Sequence, residues 1–301
     1  MIAASMHRAA FLCLLAGGCA IAFAPILVRL ADTGPVASAF WRTALAAPLL
    51  WGWLAIASVI PAKAGTQTKP SGSRGWLPAY TGMTIAGLFF ALDLGFWHWS
   101  IIWTSVANST LLANLAPIFV TLAGWLIWKQ KVTGTFLVAM AVAIAGMFVL
   151  VGPNFQAGGT QLLGDATAAL TAVFYAGYML AIKFARDANA STGRLMAWST
   201  TITALALLPV ALLSPQPMLP AGASGWLVLL GLALVTQILG QGLIAYAFAH
   251  LSASLSSVSL LIQPVVATLA AWAIFGETVS AAQVLGGAIV LAGIWLARRG
   301  S

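Results

Sequence analysis

Asp93 is the only acid placed well inside a long apolar run, and Trp97 and Ser100 follow it at i+4 and i+7. That spacing puts the three on one helix face. An ionisable group inside an apolar span is expected to relay protons or to hold an ammonium group. The plainer use is a fixed hydrogen-bond partner near the end of the span. Four larger amides, Asn114, Gln237, Gln241 and Gln263, each offer a donor and an acceptor, which suits a zwitterionic solute. Thr110, Asn114, Pro117 and Thr121 share a face. Ser252, Ser256, Ser259 and Gln263 form a second polar stripe, Thr167, Thr171, Phe174 and Tyr178 a third, and Gln237 and Gln241 a short fourth. Polar groups avoid lipid, so these stripes face protein or water. Helix–helix hydrogen bonding is the ordinary use of their Ser and Thr members. The expected substrate-binding set is therefore Asp93, Trp97, Asn114, Tyr178, Gln237, Gln241 and Gln263.

Pro117 and Pro264 sit inside apolar runs. Each removes a backbone donor and frees the carbonyl four residues earlier, which makes them candidate hinges. Arg42 follows Phe40-Trp41 near the start of another run. It is expected to snorkel to the headgroups, with a substrate carboxylate as the other reading. His98, between Trp97 and Trp99, is expected at the membrane surface, and Asp165 and Glu277, at the ends of runs, in water. No His/Cys/Asp cluster has metal-ligand spacing, and Cys13 and Cys19, six apart, fall on different faces of one helix. No metal or cofactor is expected. A phosphate-binding Gly-x-x-x-x-Gly-Lys-Ser/Thr loop is absent, so energy is expected from a gradient and not from ATP. Without a nucleophile or an acid/base cluster, an enzyme is not expected either.

These residues are positioned by membrane spans. Of 301 residues, 61% are hydrophobic and 6% charged, with mean hydropathy +1.01. Runs long enough to cross a bilayer follow one another along the chain. Ten are expected, over about residues 9–30, 36–60, 76–100, 104–128, 132–151, 162–184, 194–213, 223–249, 253–275 and 280–298. The start imitates a signal peptide, but the apolar run continues past Ala22-Phe23-Ala24 and Pro25 would follow the cut, so an uncleaved first span is expected. Pro61–Gly75 reads as a flexible polar loop. Net charge is +8, yet the basic residues sit in short loops and form no nucleic-acid patch. With the N-terminus inside, 11 of the 13 Lys and Arg residues are cytoplasmic, Arg29 and Arg42 being the exceptions. Lys/Arg bias sets orientation, so both termini are expected in the cytoplasm.

The chain repeats itself. Ser105–Gly146 and Ser252–Gly293 align without a gap at an offset of 147, with 12 identities in 42 positions, Pro117 and Pro264 among them. Such a period marks an internal repeat. The halves are residues 1–152 and 160–301. Five spans per half is odd, so the second half enters the membrane inverted. Lys129-Gln130-Lys131, cytoplasmic in the first half, aligns with Gly276-Glu277-Thr278, external in the second. Inverted repeats are a transporter architecture with a substrate site near mid-membrane. The fold class is all-α: ten transmembrane helices as two inverted five-helix repeats.

Three segments carry a family resemblance: Gly34–Leu50 (GPVASAFWRTALAAPLL), Ala91–Val120 (ALDLGFWHWSIIWTSVANSTLLANLAPIFV) and Ala249–Gly293. With them the chain resembles the drug/metabolite transporter superfamily, in particular its EamA-type ten-span exporters, over nearly its whole length. One departure is Lys-Gln-Lys where many relatives carry a Gly-Glu hairpin. The resemblance implies a secondary carrier of the bacterial inner membrane that works by alternating access. It also implies a small-molecule cargo, with amino acid exporters, including aromatic amino acid exporters of the YddG type, as the best fit. Partners are the solute and the bilayer, with no nucleic acid, and a monomer suffices to enclose a cavity. The alternative is efflux of cationic drugs or other metabolites coupled to protons through Asp93.

Overall fold

The structure, a computed structural model, describes residues 2–59, 76–104, 106–152 and 161–300. The expected loop Pro61–Gly75 lies outside them. Ten helical spans are long and apolar enough to cross a membrane. The first is α1 (Ile2–Ile21) continued by α2 (Ala24–Leu30), the second α3 (Pro35–Val59) and the third α4 (Trp76–Trp103). The fourth is α5 (Val106–Ala113) continued by α6 (Ala116–Trp128); α7 (Gly134–Val151) is the fifth. In the second half, α8 (Gln161–Asp187) and α9 (Thr192–Leu213) precede an eighth span built of α10 (Ala223–Gly231), a π-helical segment Leu232–Gln241 and α11 (Gly242–Ala247). The ninth is α12 (Ala253–Ser259) and α13 (Ile262–Phe275), the tenth α14 (Ala281–Gly300).

Three spans are broken, and proline explains each break. Pro117 lies at the second position of α6 and Pro25 at the second of α2, where the missing N–H costs nothing to the helix that begins there. Pro264 is the third residue of α13. The chain makes a turn before each: Ala22-Phe23, Asn114-Leu115 and Leu260-Leu261. The repeat reappears in local geometry at the other end of two of these helices. Lys129 caps α6 with φ 54°, and Gly276, its counterpart at offset 147, caps α13 with φ 67°.

Packing runs mainly between halves. Spans 1 and 8, 2 and 7, 3 and 6, 4 and 9, and 5 and 10 lie against one another. Exchanging equivalent spans (1 for 6, 2 for 7 and so on) returns the same set of pairs, as two copies of one unit related by a pseudo-twofold would. α7 and α14 approach one another closely. A Cβ at Gly286 would stand 2.3 Å from the Leu150 amide nitrogen, and one at Gly293 2.6 Å from that of Ala143. Small residues let membrane helices approach to this degree.

Polarity is reversed relative to a soluble protein. Leu213, Leu162, Trp53 and Leu227 are among the most exposed side chains. Ser38, Thr43, Asn108, Thr200, Thr203, Thr236 and Ser259 are fully buried. Their polar side chains bond within helices and between them, as when Thr203 donates to the Gly87 carbonyl at 2.8 Å. An apolar exterior with polar groups inside belongs in lipid; the protein is a multi-pass membrane protein.

Candidate functional site

A cavity of about 110 Å³ opens where the helix breaks converge. Its wall takes Ala22, Ala24 and Pro25 from the first break, Ala113 and Asn114 from the second, and Gln263, Pro264 and Ala267 from the third. Proline at 117 leaves the Ala113 carbonyl without its usual donor at this wall. Both halves contribute. Arg42, Phe90, Asp93, Trp97 and Thr110 come from the first, and Thr171, Tyr175 and Gln241 from the second.

Of the residues expected from the sequence to bind substrate, Asp93, Trp97, Asn114, Gln241 and Gln263 lie in this wall. Tyr178 and Gln237, each 1% exposed, lie behind it and support groups that do. Tyr178 donates its hydroxyl to Gln241 Oε1 at 3.1 Å. Its ring stacks on Phe90, centroids 4.4 Å apart, and on Tyr175 at 6.2 Å. Gln263 Nε2 in turn donates to the Tyr175 hydroxyl at 3.4 Å. Phe90 and Tyr175 thus line one side of the cavity, with the Tyr178 ring stacked between them from behind and amides at their edges. Asn114 donates to the Thr110 carbonyl at 2.8 Å, inside its own helix turn.

Arg42 corrects the sequence reading. It does not snorkel: it is 4% exposed and faces the cavity. Its Nε donates to Gln237 Oε1 at 3.1 Å, and Gln237 Nε2 donates to Thr200 Oγ1 at 3.0 Å. Since Arg Nε can only donate, the amide oxygen must face it, and Thr200 holds the other end of the amide. Behind the guanidinium lies Phe90, its ring centroid 5.6 Å from Cζ. The π-helical segment carries Gln237 and Gln241 together to this side of the site; wide turns of this kind recur at functional sites. The arginine enters from the second span, which has no break and no polar stripe, so periodicity gave no hint of its direction.

His98 is buried as well. It is packed inside the protein, 1% exposed, with its Nδ1 2.7 Å from the Leu94 carbonyl. Asp165 and Glu277, expected in water, both have partners. Asp165 accepts from Thr104 at 2.6 Å and from Asn108 at 3.0 Å. Glu277 pairs with Arg29, whose guanidinium also lies 4.4 Å from the Phe275 ring centroid. Residues missed from the sequence are Phe90 and Tyr175, which belong to none of the polar stripes, and Pro25, whose place after an apparent cleavage site masked its role as a helix break.

An uncharacterized transporter of Archaeoglobus fulgidus is 26% identical over 83% of this chain and 84% of its own length. A probable terminal-alkyne amino-acid exporter of Streptantibioticus cattleyicolor is 29% identical over 67% of each chain. The pseudopaline exporter CntI of Pseudomonas aeruginosa is 25% identical over 69% of this chain and 72% of its own. A crystal structure at 20% identity superposes with a TM-score of 0.73 over 97% of this chain and 98% of that one, a likeness of fold. The EamA-like transporter family matches twice, over residues 8–152 and 162–299. Ten spans, a cavity lined from both halves and these two matches lead to one conclusion: the chain belongs to the EamA-like transporter family.

Proposed function

We propose that this protein is a secondary exporter of small neutral or zwitterionic metabolites, foremost amino acids, aromatic ones included. It works by alternating access between two inverted five-helix halves, residues 1–152 and 160–301, as a monomer in the plasma membrane with both termini in the cytoplasm. The observation that carries this reading is the cavity at the helix breaks, in which Arg42 and Asp93 share one wall with amides and aromatic rings. Such a wall offers hydrogen bonds and stacking at little net charge, which suits a zwitterion with an apolar side chain. A relative named as an amino-acid exporter and one named as a pseudopaline exporter support the cargo class. Broken helices at the site support a mechanism in which one half rocks against the other, with Pro117 and Pro264 as hinges. Efflux of cationic drugs through Asp93 fits less well, because a cation would meet a buried guanidinium in the same cavity.

The test is counterflow in proteoliposomes with labelled amino acids, organic cations and sugar phosphates side by side. Accumulation of neutral or aromatic amino acids is the expected result. Accumulation of cations alone would move the protein to drug efflux, and no accumulation of any solute would overturn the carrier reading.

A further inference from the structure

Arg42 has more hydrogen-bonding capacity than the protein uses. A guanidinium presents five N–H donors in a rigid fork. Gln237 takes one of them, through Nε, and Nη2 is buried with no partner. The ion pairs among the described residues are Arg29–Glu277 and Lys183–Asp187, so Arg42 stands in no salt bridge among them. A buried, incompletely paired charge is costly, and the cost falls when an anion with two acceptor oxygens arrives, because carboxylate and guanidinium match as two forks. Asp93 is the complementary case. It is 8% exposed, lines the same cavity and is joined to Arg42 by no ion pair.

Resting on the amino-acid reading above, we infer that Arg42 is the carboxylate subsite of the carrier and Asp93 its ammonium subsite. The solute must then carry both a free carboxylate and a free amine. The charges argue for this pairing. Arginine and aspartate cancel within the cavity, and a zwitterion cancels within itself, so binding places opposite charges together in a low-dielectric site without adding net charge to it. An amine alone would leave Arg42 unpaired; a carboxylate alone would leave Asp93 so. Gln237 is a positioning residue here, because it holds Nε and thereby fixes the plane of the fork. Phe90, Tyr175 and Trp97 line the same cavity and would contact the solute's side chain.

The experiment is competition in the counterflow assay, using an amino acid that the wild-type protein exchanges. Competitors are the same amino acid unlabelled, its methyl ester, its decarboxylated amine and its deaminated carboxylic acid. Loss of a charge-assisted, two-point contact is expected to weaken the ester, amine and acid on the order of 10- to 100-fold against the parent. Arg42→Gln should erase the difference between parent and ester, and Arg42→Lys should restore part of it. Asp93→Asn should erase the difference between parent and acid. Ester or amine competing as well as the parent against wild-type protein would overturn the inference and leave the amino-acid reading standing. So would an Arg42→Gln protein that still prefers the parent. The wild-type series needs no variant to fold. If the wild-type protein exchanges no amino acid, the functional reading itself falls, and this inference with it.

Discussion

Replacing Gln237 by leucine should weaken transport although Gln237 lies outside the cavity wall. Its side chain has two tasks: it accepts from Arg42 Nε at 3.1 Å and donates to Thr200 at 3.0 Å. Leucine keeps the volume and removes both. Arg42 then loses its hydrogen bond to Gln237, although its side chain is only 4% exposed and already has an unpartnered Nη2. A hydrogen bond to a charged group contributes about 1.5–3 kcal/mol. If that energy serves to hold the fork in place for the solute, its loss raises the half-saturation concentration by roughly 10- to 150-fold. Gln237→Glu separates position from charge. It retains an acceptor for Nε, and the Thr200 hydroxyl can turn to donate to it. However, it supplies a permanent internal counter-ion that competes with the solute's carboxylate. The expected pattern is thermal stability near wild type for Gln237→Glu with transport largely lost, and reduced stability together with raised half-saturation for Gln237→Leu. The assay is counterflow over a concentration series, with thermal unfolding in detergent alongside. Wild-type half-saturation in the leucine variant would refute the claim that Gln237 orients Arg42.

Three further outcomes are expected. Joint replacement of Pro117 and Pro264 by alanine restores a backbone donor at two of the three breaks and should slow counterflow several-fold while binding persists; undiminished transport would remove the prolines as hinges. Lys129→Gly should stabilise the protein by about 1 kcal/mol, because Lys129 holds φ 54° where its counterpart in the repeat is already glycine, and detergent unfolding curves of the two proteins read this directly. His250 lies in the turn between α11 and α12, where partial burial, followed by nearby Arg186, His7 and Lys183, holds its imidazole below the usual range. A depressed histidine means that the unfolded chain binds the proton more readily, so stability from this group falls as pH drops below about 6.5. The loss of melting temperature between pH 7.5 and 5.5 should therefore be smaller in His250→Gln than in wild type, and an equal loss would refute it.

Much of the fold was legible in the sequence because a bilayer imposes length. About twenty apolar residues are needed to cross it, and that constraint acts on each span separately. The ten spans accordingly fall where hydropathy places them, within a few residues. The repeat was legible because identical offsets survive in Pro117 and Pro264, Trp125 and Trp272, Gly146 and Gly293. Local breaks at the first two follow from the missing proline N–H. Pro25 was not read in this way, because its neighbourhood also has the composition of a cleavage site.

The sequence by itself thus determined the number of spans, their repeat, the class of the protein and a set of polar residues that must avoid lipid. Tertiary structure decided which of those residues meet. Helical spacing gives the face of a residue on its own helix, but not the direction in which that face points once ten helices have packed. Asn114 and Gln263 are at the cavity because the two broken helices bring them there; Gln237 and Tyr178, on equally polar stripes, ended one layer behind. Arg42 shows the difference most clearly. On an isolated span its long side chain would reach for the headgroups. In the assembled bundle, Gln237 and Phe90 hold it inward, and the charge that composition assigned to the membrane surface becomes the one cation in the cavity wall among the described residues.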